Sequence, residues 1–215
     1  MKIYAISGLG ADERVFDFLK LDYELVPIKW IAPKDNEDIS KYSLRLSKII
    51  DQSEKYVILG VSFGSLIAVE MSKKLNPEMT ILISFVETSK ELRWIYRLVG
   101  KLKLINLIPK SLLIPPKKLI QFLFDAKNTK LLNKILDDTD PNFAKWALRV
   151  LLNWESDYKL KNSLKINGTK DKLIPPPRIT DGVKLIKDGG HFMVVDKADE
   201  ISREINSSLA LITQN

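Results

Sequence analysis

Short runs of branched apolar residues alternate along the chain with longer amphipathic segments. The apolar runs predict six strands, at residues 2–7, 23–30, 56–61, 79–86, 163–168 and 182–187. The amphipathic segments predict helices at residues 11–20, 36–52, 65–75 and 197–213. Strands and helices that alternate in this way are typical of a parallel sheet covered by helices on both faces.

Residues 88–156 break this alternation. They are rich in Leu and Lys at helical spacing, and they contain Pro109, Pro115, Pro116 and Pro141. Because proline interrupts helical hydrogen bonding, we expect several short helices here, bent or separated at the prolines. We predict that residues 88–156 form a helical cap (lid) inserted after the fourth strand. The core would then comprise residues 1–87 and 157–215, and the whole chain would form a single structural domain.

The positive charge of the chain is concentrated in the same helical segment. The net charge is +7, and residues 88–156 alone hold 13 basic and 6 acidic residues, so the rest of the chain is neutral. The length of 215 residues fits one domain, and 45% hydrophobic with 28% charged residues is typical of a globular protein. The chain has no Cys, which excludes disulfides, thiol nucleophiles and Cys-ligated metals.

No segment predicts a membrane span or a phosphate-binding loop. No run approaches the roughly 18 uninterrupted apolar residues of a transmembrane helix. The N-terminal residues lack the apolar stretch of a signal peptide, so the expected location is the cytoplasm. No glycine-rich dinucleotide fingerprint or Walker lysine loop follows a predicted strand, so no nucleotide is expected. We expect no metal and no organic cofactor.

The sequence Gly60-Val61-Ser62-Phe63-Gly64 stands between a predicted strand and a predicted helix. This strand–turn–helix context is the one that the nucleophile-elbow motif requires. A small serine in a tight turn would give the same local pattern. A serine nucleophile needs a base, an orienting carboxylate and donors for the oxyanion, and the rest of the chain must supply them.

A base and an acid follow later predicted strands. His191 is the only histidine of the chain, and it lies between the last strand and the last helix. Asp171 follows the fifth strand, which gives the chain order nucleophile, acid, base. Glu87, directly after the fourth strand, is the alternative acid. Weaker candidates for the acid are Asp181 and Asp196.

Two backbone amides are candidates for an oxyanion hole. One is the N–H of Phe63, the residue after the nucleophile. The other is the N–H of Leu9 in the loop after the first strand, where Gly8 and Gly10 permit unusual dihedral angles. An ordinary glycine-rich turn between a strand and a helix remains the alternative for this loop.

With these residues in this order, the chain resembles the α/β-hydrolase fold superfamily. The segments GVSFGS, INGTKDKLIPP, GGHF and ISGLGAD are similar to the family's nucleophile, acid, histidine and oxyanion segments. Residues 88–156 stand where the family carries its cap. The resemblance implies a three-layer α/β sandwich whose six-stranded parallel sheet has the order 2-1-3-4-5-6. One departure is Ser7-Gly8, where the family often has His-Gly.

The resemblance also implies an activity, that of a serine hydrolase. It would cleave a carboxylic ester or thioester of a small to medium apolar acyl group through an acyl-enzyme intermediate. Amide, carbon–carbon or perhydrolytic chemistry would use similar residues. Two alternatives are a non-catalytic ligand-binding or signalling protein on the same fold, and a protein- or membrane-docking module that acts through the basic cap.

The expected substrate is a small molecule, and the cap would select it. Apolar residues of the cap expected to pack it onto the core are Trp94, Ile95, Leu98, Leu102, Leu104, Ile105, Leu107 and Ile108. The lysines would then be solvated. The alternative is an apolar acyl slot with a cationic rim that suits an anionic carrier group. Nucleic acid is not an expected partner, because the basic residues match no recognised module. Nothing in the sequence predicts an oligomeric state.

Overall fold

The computed structural model describes residues 1–102, 115–176 and 182–213. Its sheet has six strands in the order β2-β1-β3-β4-β5-β6, and every neighbouring pair is parallel. The strands are β1 (Lys2–Ile6), β2 (Glu24–Pro27), β3 (Tyr56–Val61), β4 (Met79–Ile83), β5 (Ser163–Gly168) and β6 (Val183–Ile186). The predicted sheet and its strand order are confirmed.

Successive side chains of the central strands enter two separate cores, one on each face of the sheet. In β3, Val57 and Leu59 belong to one core and Ile58 to the other. Helices α1 (Ile39–Leu46) and α2 (Phe63–Ser72) cover the second core, whereas α8 (Ala198–Thr213) covers the first. The apolar strand runs are therefore continuous because both faces are buried.

In the described residues between β4 and β5, the segment predicted as the cap, there are four α-helices. They are α3 (Trp94–Lys101), α4 (Lys117–Phe124), α5 (Thr129–Asp137) and α6 (Pro141–Leu152). Two of the prolines mark helix starts, as expected: Pro116 is the N-cap of α4, and Pro141 is the first residue of α6. Pro109 lies outside the described residues.

Helix α3 packs through a different face from the one that its large apolar residues suggest. Trp94, Ile95, Leu98 and Leu102 are exposed, with Trp94 68% exposed, so the expectation that they pack onto the core is wrong. The close contact is made by Gly100, where a Cβ atom would collide with the carbonyl oxygen of Leu152 in α6. The other four apolar residues predicted to pack there, at 104, 105, 107 and 108, lie outside the described residues.

The prediction of a helix at residues 11–20 is also wrong. Only a 3-10 helix forms there, Glu13–Phe16, capped by the side chain of Asp12. The buried side chains of this segment are the neighbours Val15 and Phe16, which do not share the i, i+3 or i+4 spacing that one helical face would require. A short helix α7 (Met193–Asp196), which the sequence pattern did not predict, follows His191.

The parallel topology brings the candidate chemistry to one edge of the sheet. The loops that carry Gly8, Ser62, Asp171 and His191 follow β1, β3, β5 and β6 respectively. Carboxyl ends of parallel strands meet at the same edge, where sites of α/β folds form. Across the described ranges, no helix combines the length and the apolar character that crossing a membrane requires.

Candidate active site

Ser62 occupies a strained turn between β3 and α2. Its dihedral angles are φ 53° and ψ −118°, a region that L-residues rarely adopt. The turn is held by the Ser62 N–H, which donates to the carbonyl of Ile83 at the end of β4 over 2.9 Å. This conformation sets the hydroxyl of Ser62 at the edge of the sheet, as a nucleophile elbow does.

The two glycines that flank the turn allow close packing of backbone on backbone. A Cβ atom at Gly64 would collide with the carbonyl oxygens of Ile6 and Ser7 in β1 and its loop. A Cβ atom at Gly60 would collide with the carbonyl oxygen of Gly64. The Gly-x-Ser-x-Gly pattern is therefore required by the contact between the turn, α2 and β1.

The three candidate triad side chains form a continuous hydrogen-bonded chain. Ser62 Oγ lies 2.8 Å from His191 Nε2, and His191 Nδ1 lies 2.8 Å from Asp171 Oδ2. The other oxygen, Asp171 Oδ1, accepts the N–H groups of Leu173 at 3.0 Å and Ile174 at 2.8 Å. Both the imidazole and the carboxylate are buried. This arrangement can move a proton from the hydroxyl to the imidazole while the carboxylate fixes the tautomer.

Glu87, the alternative acid, is bound elsewhere. Its carboxylate accepts hydrogen bonds from Lys165 at 2.9 Å, from Lys159 at 3.1 Å and from the N–H of Leu160 at 2.9 Å. Burial opposes ionisation of this carboxyl group, but these three donors outweigh burial and lower the pKa of Glu87. Glu87 thus fastens the start of β5 to the end of β4.

The two weaker candidate acids are not brought to His191 either. Both oxygens of Asp196 accept backbone N–H groups, from Lys127 at 2.7 Å and from Asn128 at 3.0 Å. Asp181 lies outside the described residues. Among the described candidates, Asp171 is the one whose carboxylate reaches the imidazole.

The candidate oxyanion amides flank Ser62. A Cβ atom at Gly8 would lie 3.3 Å from Ser62 Cβ and 3.8 Å from Ser62 Oγ, so the loop of Leu9 is packed against the hydroxyl. Phe63 is the first residue of α2, and the first N–H groups of a helix have no acceptor within it. Within the described ranges, the N–H groups of Leu9 and Phe63 donate to no protein acceptor.

Ser7 braces the loop that carries Leu9, the candidate oxyanion loop, at the position of the departure from His-Gly. Its hydroxyl donates to the carbonyl of Ala11 over 2.9 Å and lies 3.0 Å from Trp30 Nε1, which can donate to it. The ring of Trp30 in turn packs against Phe63, with ring centroids 5.8 Å apart. The departure from His-Gly is therefore accommodated by a network that ties both candidate oxyanion segments together.

No protein-family model and no curated protein sequence matches this chain. Solved structures do match it, at low sequence identity. A thermophilic esterase from Thermogutta terrifontis is 14% identical, with a TM-score of 0.73 over 99% of this chain and 90% of the other. The enol-lactonase from Burkholderia xenovorans is 14% identical, with a TM-score of 0.74 over 97% and 91%. MenH from S. aureus is 19% identical, with a TM-score of 0.73 over 100% and 95%.

The chain has the α/β-hydrolase fold. The resemblance drawn from the sequence motifs is thus confirmed for the fold, by the strand order and by these structures.

In this α/β-hydrolase fold, a small apolar cavity opens beside Ser62. Its volume is about 40 Å³, and residues from the oxyanion loop, β3, α4, α5 and the His191 loop line it. The apolar side chains at its base include Leu132, Ile135 and Leu136 of α5. One water molecule needs about 10–15 Å³ by the same measure, so the cavity has room for only a few atoms.

A second hollow, of about 230 Å³, lies beside the candidate oxyanion loop. It shares Gly10, Ala11 and Ile135 with the small cavity, and the aromatic rings of Trp30 and Phe143 line it. The charged residues in the described lining of this hollow are Asp12, Asp138 and Asp140, and Arg14 pairs with the first two. None of the described lysines between β4 and β5 lines it.

Within the described ranges, no cluster of three or more His, Asp or Glu side chains is arranged to hold a metal ion. The residues around Ser62 are instead apolar, apart from the triad itself. The chemistry that this site supports rests on a hydroxyl, an imidazole and a carboxylate.

Sequence reasoning did not find the contribution of helix α4 to this site. The ring of Phe124, its last residue, meets the imidazole of His191 edge to face, with centroids 4.9 Å apart and an interplanar angle of 81°. Phe124 also lines the small cavity. Nothing in the local pattern around residue 124 marks this role, because it depends on how the inserted helices dock.

Proposed function

We propose that this chain is a serine hydrolase that cleaves a carboxylic ester or thioester with a small apolar acyl group. The observation that carries the proposal is the hydrogen-bonded chain from Ser62 through His191 to Asp171, with both links at 2.8 Å. A buried serine–imidazole–carboxylate chain of this kind, at a strained elbow, serves to activate a hydroxyl for attack on a carbonyl carbon.

In the first half-reaction, Ser62 Oγ attacks the carbonyl carbon while His191 Nε2 takes its proton. The carbonyl π electrons move to oxygen, and the N–H groups of Leu9 and Phe63 donate to the oxyanion. The positive end of α2 adds to this stabilisation at Phe63. The intermediate collapses as the imidazolium gives its proton to the leaving oxygen or sulfur, which leaves an ester on Ser62.

Water completes the cycle. His191 takes a proton from a water molecule that attacks the acyl-enzyme carbonyl, and then returns a proton to Ser62 Oγ when the carboxylic acid departs. Asp171 keeps its hydrogen bond to Nδ1 throughout, which stabilises the imidazolium formed in each half-reaction. The two backbone donors on Asp171 Oδ1 keep the carboxylate in place.

The two hollows suggest which esters the site takes. A cavity of about 40 Å³ next to Ser62 fits an acyl chain of few carbons. The larger hollow has Trp30 and Phe143 in its lining and no described basic residue, so it suits a neutral aromatic or aliphatic leaving group better than an anionic carrier. The names of two of the similar structures, an esterase and an enol-lactonase, support an ester as the substrate class.

Covalent labelling tests the nucleophile. We expect a fluorophosphonate probe to label the folded protein once, at Ser62, and the Ser62→Ala variant to remain unlabelled. His191→Ala should fold and label at least 100-fold more slowly, because it lacks the base. A folded wild-type protein that does not label would contradict the proposal and favour a non-catalytic binding role on the same fold.

Turnover tests the substrate class. We expect measurable hydrolysis of p-nitrophenyl acetate and butyrate that is abolished in Ser62→Ala. Acetyl thioesters with a neutral thiol and with an anionic carrier thiol form a matched pair. The neutral member should be cleaved with the higher kcat/KM, because no described basic residue lines the hollow beside the candidate oxyanion loop. The reverse preference would assign the basic helical segment a role in binding an anionic carrier.

A further inference from the structure

We propose that residues 122–128, which we name the α4–α5 clamp, hold the catalytic histidine and acid in position, and that Phe124 is a positioning residue for His191. The inference rests on the proposed hydrolase function. It gives the inserted helices a role in the catalytic machinery besides the selection of substrate.

The first contact of the clamp is made by the ring of Phe124. Its edge-to-face packing on the imidazole, at 4.9 Å and 81°, fills the space into which the His191 ring would otherwise turn. The imidazole must remain 2.8 Å from both Ser62 Oγ and Asp171 Oδ2. Phe124 therefore restricts rotation of the ring about the axis on which both hydrogen bonds depend.

The second contact holds the backbone of the histidine loop. The carbonyl of Phe124 accepts the N–H of Phe192 over 3.1 Å. A Cβ atom at Gly190 would lie 2.5 Å from Asp125 Cβ and 2.7 Å from the carbonyl oxygen of Phe124. The residues on both sides of His191 are thus pressed against the end of α4, and a side chain at position 190 would push the clamp away.

The third contact holds the acid loop. Lys172 directly follows the catalytic acid, and its Nζ donates to the carbonyl of Phe122 at 2.8 Å and to Asp125 Oδ1 at 3.1 Å. The same ammonium group lies over the ring of Phe122, 3.9 Å from the centroid. The clamp thereby connects the loop after β5 to the loop after β6.

The far end of the clamp is fastened behind His191. Asp196, the last residue of α7, accepts the N–H groups of Lys127 and Asn128 at 2.7 and 3.0 Å. The clamp is consequently bound on both sides of the histidine, at Phe192 and at Asp196. A displacement of the inserted helices would have to break these bonds before the imidazole could move.

This geometry predicts a specific kinetic defect when the ring of Phe124 is shortened. Misplacement of a catalytic group by about 1 Å costs roughly 100-fold in rate. In Phe124→Leu we expect kcat to fall about 10- to 100-fold, equally for acetyl and butyryl esters, while KM changes less than about 3-fold. A residue that only lines the cavity would change KM, and by an amount that depends on acyl length.

Leu119→Ala is the control. Leu119 lies five residues earlier on the same helix, its side chain is exposed, and it lies outside the α4–α5 clamp. We expect its kcat to stay within about 2-fold of wild type. Phe124→Tyr, which keeps the ring, should retain most of the activity. Melting temperatures of all variants separate this effect from unfolding.

A spectroscopic readout makes the test independent of turnover. His191 is the only histidine, so every imidazole N–H signal in the NMR spectrum belongs to it. We expect Phe124→Leu to broaden or shift the proton of the Nδ1–H···Asp171 hydrogen bond, while Leu119→Ala and Phe124→Tyr keep it. The positioning role would be overturned if this signal and kcat are unchanged in Phe124→Leu, or if Phe124→Leu and Leu119→Ala lose them equally. Failure of the hydrolase proposal would appear separately, as a wild-type protein that does not label.

Discussion

The Nδ1 atom of His191 lies 2.8 Å from Oδ2 of Asp171, whose second oxygen accepts two backbone N–H groups. The carboxylate therefore makes three hydrogen bonds and cannot turn without breaking some of them. With Nδ1 as the donor, Nε2 is left as the acceptor that faces Ser62. The acid thus determines which imidazole nitrogen can receive the serine proton.

Replacing this acid by its amide should nearly abolish turnover. Asp171→Asn can present an N–H to Nδ1 and so favour the wrong tautomer, and we expect kcat to fall by about 10³- to 10⁴-fold. Glu87→Gln is the matched control, because Glu87 is equally buried but binds Lys165, Lys159 and Leu160. Steady-state hydrolysis of p-nitrophenyl acetate measures both. If Glu87→Gln lost activity at full stability while Asp171→Asn kept it, the acid would be wrongly assigned.

Glu87 should contribute to stability in a pH-dependent way. Its pKa is lowered in the folded protein, so its charged form stabilises the fold above the unfolded pKa of about 4.3. That contribution is lost as the pH falls through the folded pKa. We expect Glu87→Gln to lower the free energy of unfolding by about 2 kcal/mol at pH 7, and the difference from wild type to shrink below pH 4. Urea unfolding at several pH values measures this.

An exposed carboxylate provides the comparison for Glu87. Asp188 pairs with Lys170 at the surface, where solvent screens the pair. Asp188→Asn should leave the unfolding midpoint nearly unchanged at every pH. If the free energies of unfolding of wild type and Glu87→Gln differed by the same amount at every pH, the stabilising role of the Glu87 charge would be contradicted.

The sheet, and the strands that Ser62, Asp171 and His191 follow, were predictable because they depend on local pattern. Continuous apolar runs identify strands buried on both faces, and alternation with helices makes those strands parallel. Once Ser62 is placed after a strand, parallel topology brings any residue that follows another strand to the same edge. The sequence favoured Asp171 but left Glu87 as an alternative, since each follows a strand. The hydrogen bonds of Lys159 and Lys165 decide which carboxylate remains available for His191.

The parts that sequence reasoning missed depend on docking between distant segments. The exposed face of α3 was expected to pack, because apolar residues at helical spacing usually mark a buried face. The sequence pattern did not show that Gly100, on another face, makes the close contact. The contact of Phe124 with His191 joins residues 67 positions apart through an inserted helix. Segment 11–20 has helical composition, but the burial of Val15 and Phe16 limits it to one 3-10 turn.

The elbow glycine should be irreplaceable. In Gly64→Ala, the new methyl group meets the carbonyl oxygens of Ile6 and Ser7, which belong to β1 and its loop and cannot move aside. We expect a loss of stability above about 3 kcal/mol and no fluorophosphonate labelling. Gly182→Ala is the control: its φ is +75°, but no atom of the described residues lies within 4 Å of the added methyl group, so strain alone should cost about 1 kcal/mol. Equal melting temperatures for the two variants would contradict the close-packed elbow.

Acyl-chain preference should depend on α5, because its apolar side chains limit the small cavity beside Ser62. Removing the side-chain atoms of Ile135 beyond Cβ should enlarge the cavity of about 40 Å³, so Ile135→Ala should shift the preferred p-nitrophenyl ester from acetate or butyrate to longer chains. Ile120→Ala is matched in chemistry and burial and belongs to the same core, but Ile120 does not line the cavity. Both variants should lose about 2–5 kcal/mol of stability, and only Ile135→Ala should change the ratio of kcat/KM for octanoate to that for butyrate. An equal change in both variants would show that general loosening of the core, and not the wall formed by Ile135, sets the chain length.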